Sequence, residues 1–187
     1  MLEAIGLSKS FDGKPVLQNV SLRLEKGVHY ALMGPSGCGK TTLINLLLGL
    51  IKPDSGAVRH DPGLRMSAVF QEDRLLKQMT AAANVALVSR ASGAGIEELL
   101  LQLGIPRESL PQPVSAYSGG MKRRVALARA LLAEYDVLFL DEPYKGLDEE
   151  TRARVMAIVE QSTRGKTVLL ITHDKEEAEG YVPIALK

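Results

Sequence analysis

Three short stretches and two single residues of this chain are of types that can bind and cleave a phosphoanhydride. GPSGCGKT at residues 34–41 fits the pattern G-x-x-x-x-G-K-[ST]. Gly34, Gly37 and Gly39 let the backbone turn its N–H groups toward a phosphate chain, with Pro35, Ser36 and Cys38 filling the loop and Thr42 just beyond it. Lys40 has the reach and charge for the β and γ phosphates, and Thr41 has a hydroxyl for Mg²⁺. A helix starting there adds its positive end. A Gly-rich turn before an ordinary helix is the competing reading. VLFLDEP at 137–143 puts Asp141 at a strand tip, where it can hold Mg²⁺ directly or through water. Glu142 beside it can orient or deprotonate an attacking water. Gln71 and His173 each follow an apolar run. The Gln71 amide can reach water or metal, or be an ordinary surface group. His173 can donate to a γ-phosphate or hold the water against Glu142, or be structural. YSGGMKRR at 117–124 is a second anion grip, a Ser and two Gly opening a helix.

The elements that must hold these groups follow from the apolar pattern. Residues 2–30 alternate apolar and polar in short runs broken by DGKP and EKG, which predicts antiparallel strands joined by turns. Residues 28–33 read as a strand entering the glycine loop, and 40–50 as a helix stopped by KPDSG. The runs at 66–70, 137–140 and 167–172 do not alternate, so each reads as a strand buried on both faces of a parallel sheet. Residues 80–134 form a mostly helical block broken by GIPRESLPQP. Ligands of such sheets bind at the carboxyl ends of the strands. The glycine loop, Gln71, Asp141-Glu142 and His173 all stand at such ends and therefore point to one site.

The 187 residues suit one domain of ordinary size, and a net charge of +1 implies no broad attraction to nucleic acid or anionic lipid. The local basic group Lys122, Arg123 and Arg124 reads as a solvated helix face. With Cys38 as the one cysteine, no internal disulfide can form and a reducing compartment is expected. Within the loop Cys38 reads as a small filler. The start lacks the apolar run of a secretory signal, and the longest apolar stretch, LINLLLGLI, is too short to span a bilayer.

The ordered set of the 34–41 loop, Gln71, Ser118-Gly119-Gly120, Asp141-Glu142, Gly146-Leu147-Asp148 and His173 resembles the ATP-binding subunit of an ABC transporter over nearly the whole chain. That resemblance implies an α/β fold: a P-loop NTPase core with a mostly parallel sheet flanked by helices, a small N-terminal antiparallel β subdomain and an inserted α-helical subdomain. It implies one ABC ATPase domain, with 1–78 and 135–187 as the core and 79–134 as the helical part. ATP and Mg²⁺ are the implied cofactors, with Thr41, Gln71 and Asp141 toward the metal and Lys40, Gln71, Glu142 and His173 in catalysis. Two subunits, as a homodimer or a mixed pair, close head to tail on ATP. Ser118, Gly119 and Gly120 of one then meet the γ-phosphate held by the other, and Asp148 couples the two sites. Phe11 stands where the family stacks an aromatic on adenine, or is a packed strand residue. The further implied partners are a transmembrane permease and an extracytoplasmic solute-binding protein, with no nucleic acid, so the chain would sit in the cytoplasm against the inner face of the membrane.

EDRLL at 72–76 and Met121 after Ser-Gly-Gly resemble the nitrate, sulfonate and taurine importers. Tyr117 and Met121 replace the usual Leu and Gln around Ser-Gly-Gly, and Lys145-Gly146-Leu147 replaces the commoner Ser-Ala-Leu. The chain runs only a short way past His173, so no regulatory C-terminal domain is expected. The alternatives to a transport ATPase are a soluble ABC ATPase, as in iron–sulfur assembly, and an ATP switch that hardly hydrolyses.

Overall fold

The computed structural model describes residues 1–186. Its elements run β1 (Leu2–Phe11), β2 (Lys14–Leu24), β3 (His29–Met33), α1 (Lys40–Leu47), β4 (Ser55–His60), β5 (Met66–Val69), α2 (Ala81–Ala86), α3 (Gly93–Gln102), α4 (Gly119–Leu131), β6 (Val137–Asp141), α5 (Glu149–Ser162), β7 (Thr167–Ile171) and β8 (Val182–Ala185). They form two compact units. One contains Met1–Met66, Asp136–Asp141 and Gly165–Lys187, the other Ser67–Tyr135 and Glu142–Arg164.

In the first unit, β1 and β2 pair antiparallel from Leu2↔Leu24 to Phe11↔Lys14. Asp12 and Gly13, both at positive φ, make the two-residue turn between them. β4 adds antiparallel to the other side of β1, from Leu2↔His60 to Ser8↔Ser55. These strands are the expected small antiparallel sheet. Leu2, Ala4, Leu7, Leu17 and Leu24 are its buried members.

The same unit holds a parallel sheet in the order β6-β7-β3-β8. Every residue of β6 and β7 is buried, as their unbroken apolar runs predict. β5 is less enclosed, and only Val69 of its four residues is buried. The register aligns the strand tips: Asp141 lies beside Ile171, and Ile171 beside Leu32. The loop after Met33, the Asp141 carboxylate and the turn after Ile171 therefore issue from one edge of the sheet. Helix α1 ends at Leu47, short of the expected 40–50, because Gly49 at φ 70 breaks the helical backbone.

The second unit is helical. Thr80 and Ser92 cap α2 and α3 by accepting from the amides of Ala83 and Gly95. Val85, Ile96, Leu100, Leu103, Val125 and Leu127 are buried in it. The basic run at the start of α4 departs from expectation: Arg123 is only 8% exposed and Arg124 is half-buried. A charge pattern read locally does not reveal that loop carbonyls wait for both guanidinium groups.

Candidate functional site

In the first unit, Gly39 at φ 96 turns the loop into α1 and offers no side chain to cap it. No acid occupies the first turn of that helix, so its N–H groups remain available to an anion. Lys40 folds back over the loop, and its Nζ donates to Gly34 O and Pro35 O, both at 2.8 Å. The ammonium is thus held over the carbonyls of the first two loop residues. A Cβ on Gly34 would come within 2.7 Å of Leu186 O and 2.9 Å of Cys38 Sγ, so Gly34 leaves no room for a side chain there.

Thr41 Oγ1 donates to Asp141 Oδ2 at 2.7 Å. This contact joins the first helical turn to the tip of β6, and Asp141 is 3% exposed. A buried carboxylate and a hydroxyl are hard oxygen donors, the kind Mg²⁺ completes with water and substrate phosphate. Among the described residues no three or more His, Cys, Asp or Glu are grouped so as to hold a metal ion. Two protein oxygen donors leave most of an Mg²⁺ shell to water and substrate phosphate.

Past Ile171, Thr172 Oγ1 donates to the Glu177 carboxylate and accepts from the Asp174 amide. Both Thr172 and Glu177 are buried, and this turn presents His173 as an exposed side chain. Sequence reasoning missed Thr172 and Glu177, whose signal is only a Thr and a Glu five apart around a strand end. Phe11 ends β1 with 46% of its surface exposed and Lys9 Nζ 5.5 Å from its ring centroid. The Phe11 ring is therefore not buried in the sheet, and Lys9 is the cation beside it.

The second unit carries the remaining candidates. Glu142 adopts φ 48, a left-handed backbone rare outside glycine and recurrent at functional sites. Its Oε2 lies 2.6 Å from Lys145 Nζ. Ser118 caps α4 by accepting from the Met121 amide at 3.2 Å. Gly120 faces the loop before Asp148, where an added Cβ would meet Leu147 Cδ2 at 3.4 Å. Arg124 ties this corner together, donating to Gly120 O, Leu103 O and Gly104 O at 3.2, 3.0 and 2.6 Å. Burial pushes its pKa down, Asp148 opposes that, and Arg154 adds to it. Asp148 caps α5 through the Thr151 amide at 2.9 Å. That hydrogen bond leads the causes holding its carboxyl below the ordinary range, with Arg124 contributing. The Ser118 turn and the Asp148 loop thus share one corner of this unit.

Gln71 has an exposed side chain, while its backbone oxygen accepts from Arg123. The segment beyond it is pinned by Asn84, a fully buried residue that no sequence pattern singles out. Asn84 Oδ1 accepts from the Leu76 amide at 2.8 Å, and its Nδ2 donates to Leu76 O and Thr80 O. Tyr117, just before Ser118, donates its hydroxyl to Ser109 O at 2.8 Å, and burial raises its pKa.

The chain is similar to known proteins along most of its length. The ABC transporter family profile matches residues 17–145. The taurine import ATP-binding protein TauB of Pseudomonas aeruginosa is 42% identical over 192 aligned residues, covering 94% of this chain and 73% of the relative. An aliphatic sulfonates import ATP-binding protein, SsuB 1 of Rhodococcus jostii, is 39% identical, covering 95% of this chain and 74% of the relative. Among solved structures, a dimeric ATP-binding cassette in a post-hydrolysis state bound to ADP and Pi superposes with a TM-score of 0.89 at 27% identity. That match covers 100% of this chain and 94% of the other.

Proposed function

Because this chain belongs to the ABC transporter family of ATP-binding proteins, we propose a division of labour among its site residues in the binding and hydrolysis of ATP. It is an ATP-binding and ATP-hydrolysing subunit that powers transport, and its kin pair as dimers. The relatives' names favour this over a soluble non-transport ATPase or a non-hydrolysing switch.

The observation that carries the proposal is the 2.7 Å contact between the Thr41 hydroxyl and the buried Asp141 carboxylate, beside an uncapped helix start. Gly34 to Thr42 wrap the triphosphate with backbone N–H groups, and Lys40 leaves the Gly34 and Pro35 carbonyls for the β and γ phosphates. Phe11 stacks on the adenine. Thr41 and Asp141 hold Mg²⁺, with Gln71 reaching toward it or toward the attacking water. Bound there, Mg²⁺ would neutralise charge that develops on the phosphates. Glu142 accepts a proton from the attacking water, and His173 steadies that water or the γ-phosphate.

We further propose that Ser118, Gly119 and Gly120 act on the ATP of a second subunit. A phosphate loop grips the triphosphate from one side, and a second helix terminus completes the shell over the γ-phosphate. ADP lacks the group that bridges the two halves, so hydrolysis releases them. Asp148 couples the two sites through its place beside the Ser118 turn. The domain reading, 1–78 and 135–187 as nucleotide core with 79–134 as helical arm, is part of this proposal.

A permease partner follows from the import role of the relatives. Among the described residues no helix is long and apolar enough to cross a membrane. We place the chain on the cytoplasmic face of such a permease, with a solute-binding protein on the far side. The taurine and sulfonate relatives, together with EDRLL and Met121, support an importer of organosulfonates. The test is turnover: Glu142→Gln should keep ATP affinity and lose roughly 10²–10⁴-fold in hydrolysis. A variant that hydrolyses as the parent does would remove Glu142 from its assigned role.

A further inference from the structure

The segment after β5 makes no ladder, so its carbonyl oxygens need partners from elsewhere. Two arginines of α4 supply them. Arg123 Nη1 donates to Phe70 O at 2.6 Å and its Nη2 to Gln71 O at 2.5 Å. Arg129 Nη1 donates to Arg74 O at 2.7 Å and its Nη2 to Asp73 O at 2.9 Å. Two guanidinium forks from one helix thus hold four carbonyls within residues 70–74. Arg123 Nη1 also lies 3.3 Å from Asp73 Oδ1. Arg74, turned back at φ 49, closes the loop on itself with its guanidinium 3.6 Å over the Phe70 ring.

The consequence concerns Gln71. Its side chain is exposed, but its backbone is fixed by a residue only 8% exposed. Arg123 sits five residues after Ser118, on the helix that Ser118 caps. We propose that Arg123 is a positioning residue for Gln71: its fork fastens the Gln71 turn to α4, so that the Gln71 amide and the Ser118-Gly119-Gly120 turn are carried together. This rests on Gln71 contacting metal or water. Arginine suits the task because its planar fork spans two neighbouring carbonyls, whereas lysine brings one point charge on a flexible stem. A lysine at this position would keep a cation near Asp73 and lose the double grip.

The test is a double-mutant cycle on the purified full chain, read as kcat and KM for ATP. Arg123→Lys should lower kcat by roughly 10–100-fold, the scale of a slightly misplaced catalytic group, with KM nearly unchanged. Gln71→Ala should lower kcat as well, and the double variant should be no slower than Gln71→Ala alone, because both act through one group. Backbone hydrogen exchange over residues 71–74 should quicken in Arg123→Lys at unchanged global stability. Parent-like turnover in Arg123→Lys beside an impaired Gln71→Ala overturns the positioning role while leaving the role of Gln71 intact. So do losses that multiply in the double variant, which mark a merely structural residue. Full turnover in Gln71→Ala overturns the role of Gln71 and the inference with it. If Arg123→Lys fails to fold, Arg123→Gln, whose amide can still donate to one of the two carbonyls, runs the same cycle with the same outcomes.

Discussion

Replacing Thr41 with Val tests the metal pair through two quantities that can be measured separately. The variant keeps the side chain's shape and removes the hydroxyl that donates at 2.7 Å to the 3% exposed Asp141 carboxylate. A hydrogen bond to a charged group contributes about 1.5–3 kcal/mol. Val and Thr have similar helix propensity, so the helix itself contributes little to the difference. For a chain of this size each kcal/mol moves Tm by about 2–4 °C, so nucleotide-free Thr41→Val should melt roughly 3–12 °C below the parent. The second quantity is the extra stabilisation that Mg²⁺ adds to ATP. A tenfold weaker Mg²⁺-ATP complex lowers that increment by about 1.4 kcal/mol at saturating ligand. Differential scanning fluorimetry with ATP plus EDTA, against ATP plus Mg²⁺, reads both. A variant that melts with the parent and gains as much from Mg²⁺ would refute the pairing of Thr41 with Asp141 as a metal site.

Other perturbations separate the loop, the base and the buried acid. Gly37→Ala meets open space at φ 83, so only backbone strain of about 1–2 kcal/mol applies. Gly39→Ala at φ 96 adds a Cβ 2.7 Å from buried Leu17 and should cost about 1–3 kcal/mol more by overpacking; equal losses in urea titrations would contradict the loop geometry. Lys145→Ser releases the Glu142 carboxylate from an ion pair in which Lys145 is 56% exposed. Such a pair contributes about 0.2–1 kcal/mol, so turnover should rise by no more than about 5-fold, and a fall would show that Lys145 assists the base. Burial holds the Asp73 carboxyl above 3.8, against the opposing pull of Arg123, Lys122 and Arg129. The folded state therefore prefers the protonated acid, and this group withdraws stability as pH rises from 3.8 through the raised value. Asp73→Asn should flatten that limb of the pH–stability curve, and an unchanged curve would remove burial as the cause.

The parts of the site legible in the sequence are those encoded within a few consecutive residues. The 34–41 loop, the Asp141-Glu142 tip and the Ser118 cap each announce themselves because turn, helix start and functional group are contiguous. The apolar runs of β6 and β7 likewise reported their burial, since a strand covered on both faces has no polar alternation to show. Arg123, Arg124 and Arg129 were illegible for the opposite reason. Their destinations are backbone carbonyls 20 to 56 residues away, left over from loops that make no ladder. Asn84 is the same case, a polar residue on an apolar helix whose amide satisfies the chain at Leu76 and Thr80. The pairing of Lys145 with Glu142 needed the left-handed turn at Glu142, which no local propensity favours.

In the mechanism proposed for this chain, ATP is hydrolysed between two copies, and the Ser118 turn of each closes over the nucleotide of the other. Gel filtration of Glu142→Gln with saturating ATP and Mg²⁺ is the decisive measurement, run beside the same variant carrying Ser118→Arg. The single variant should elute as a dimer in ATP and a monomer in ADP, while the double variant binds ATP and stays a monomer. A single variant that remains monomeric in saturating ATP, or a double variant that dimerises equally well, would overturn hydrolysis at a shared interface.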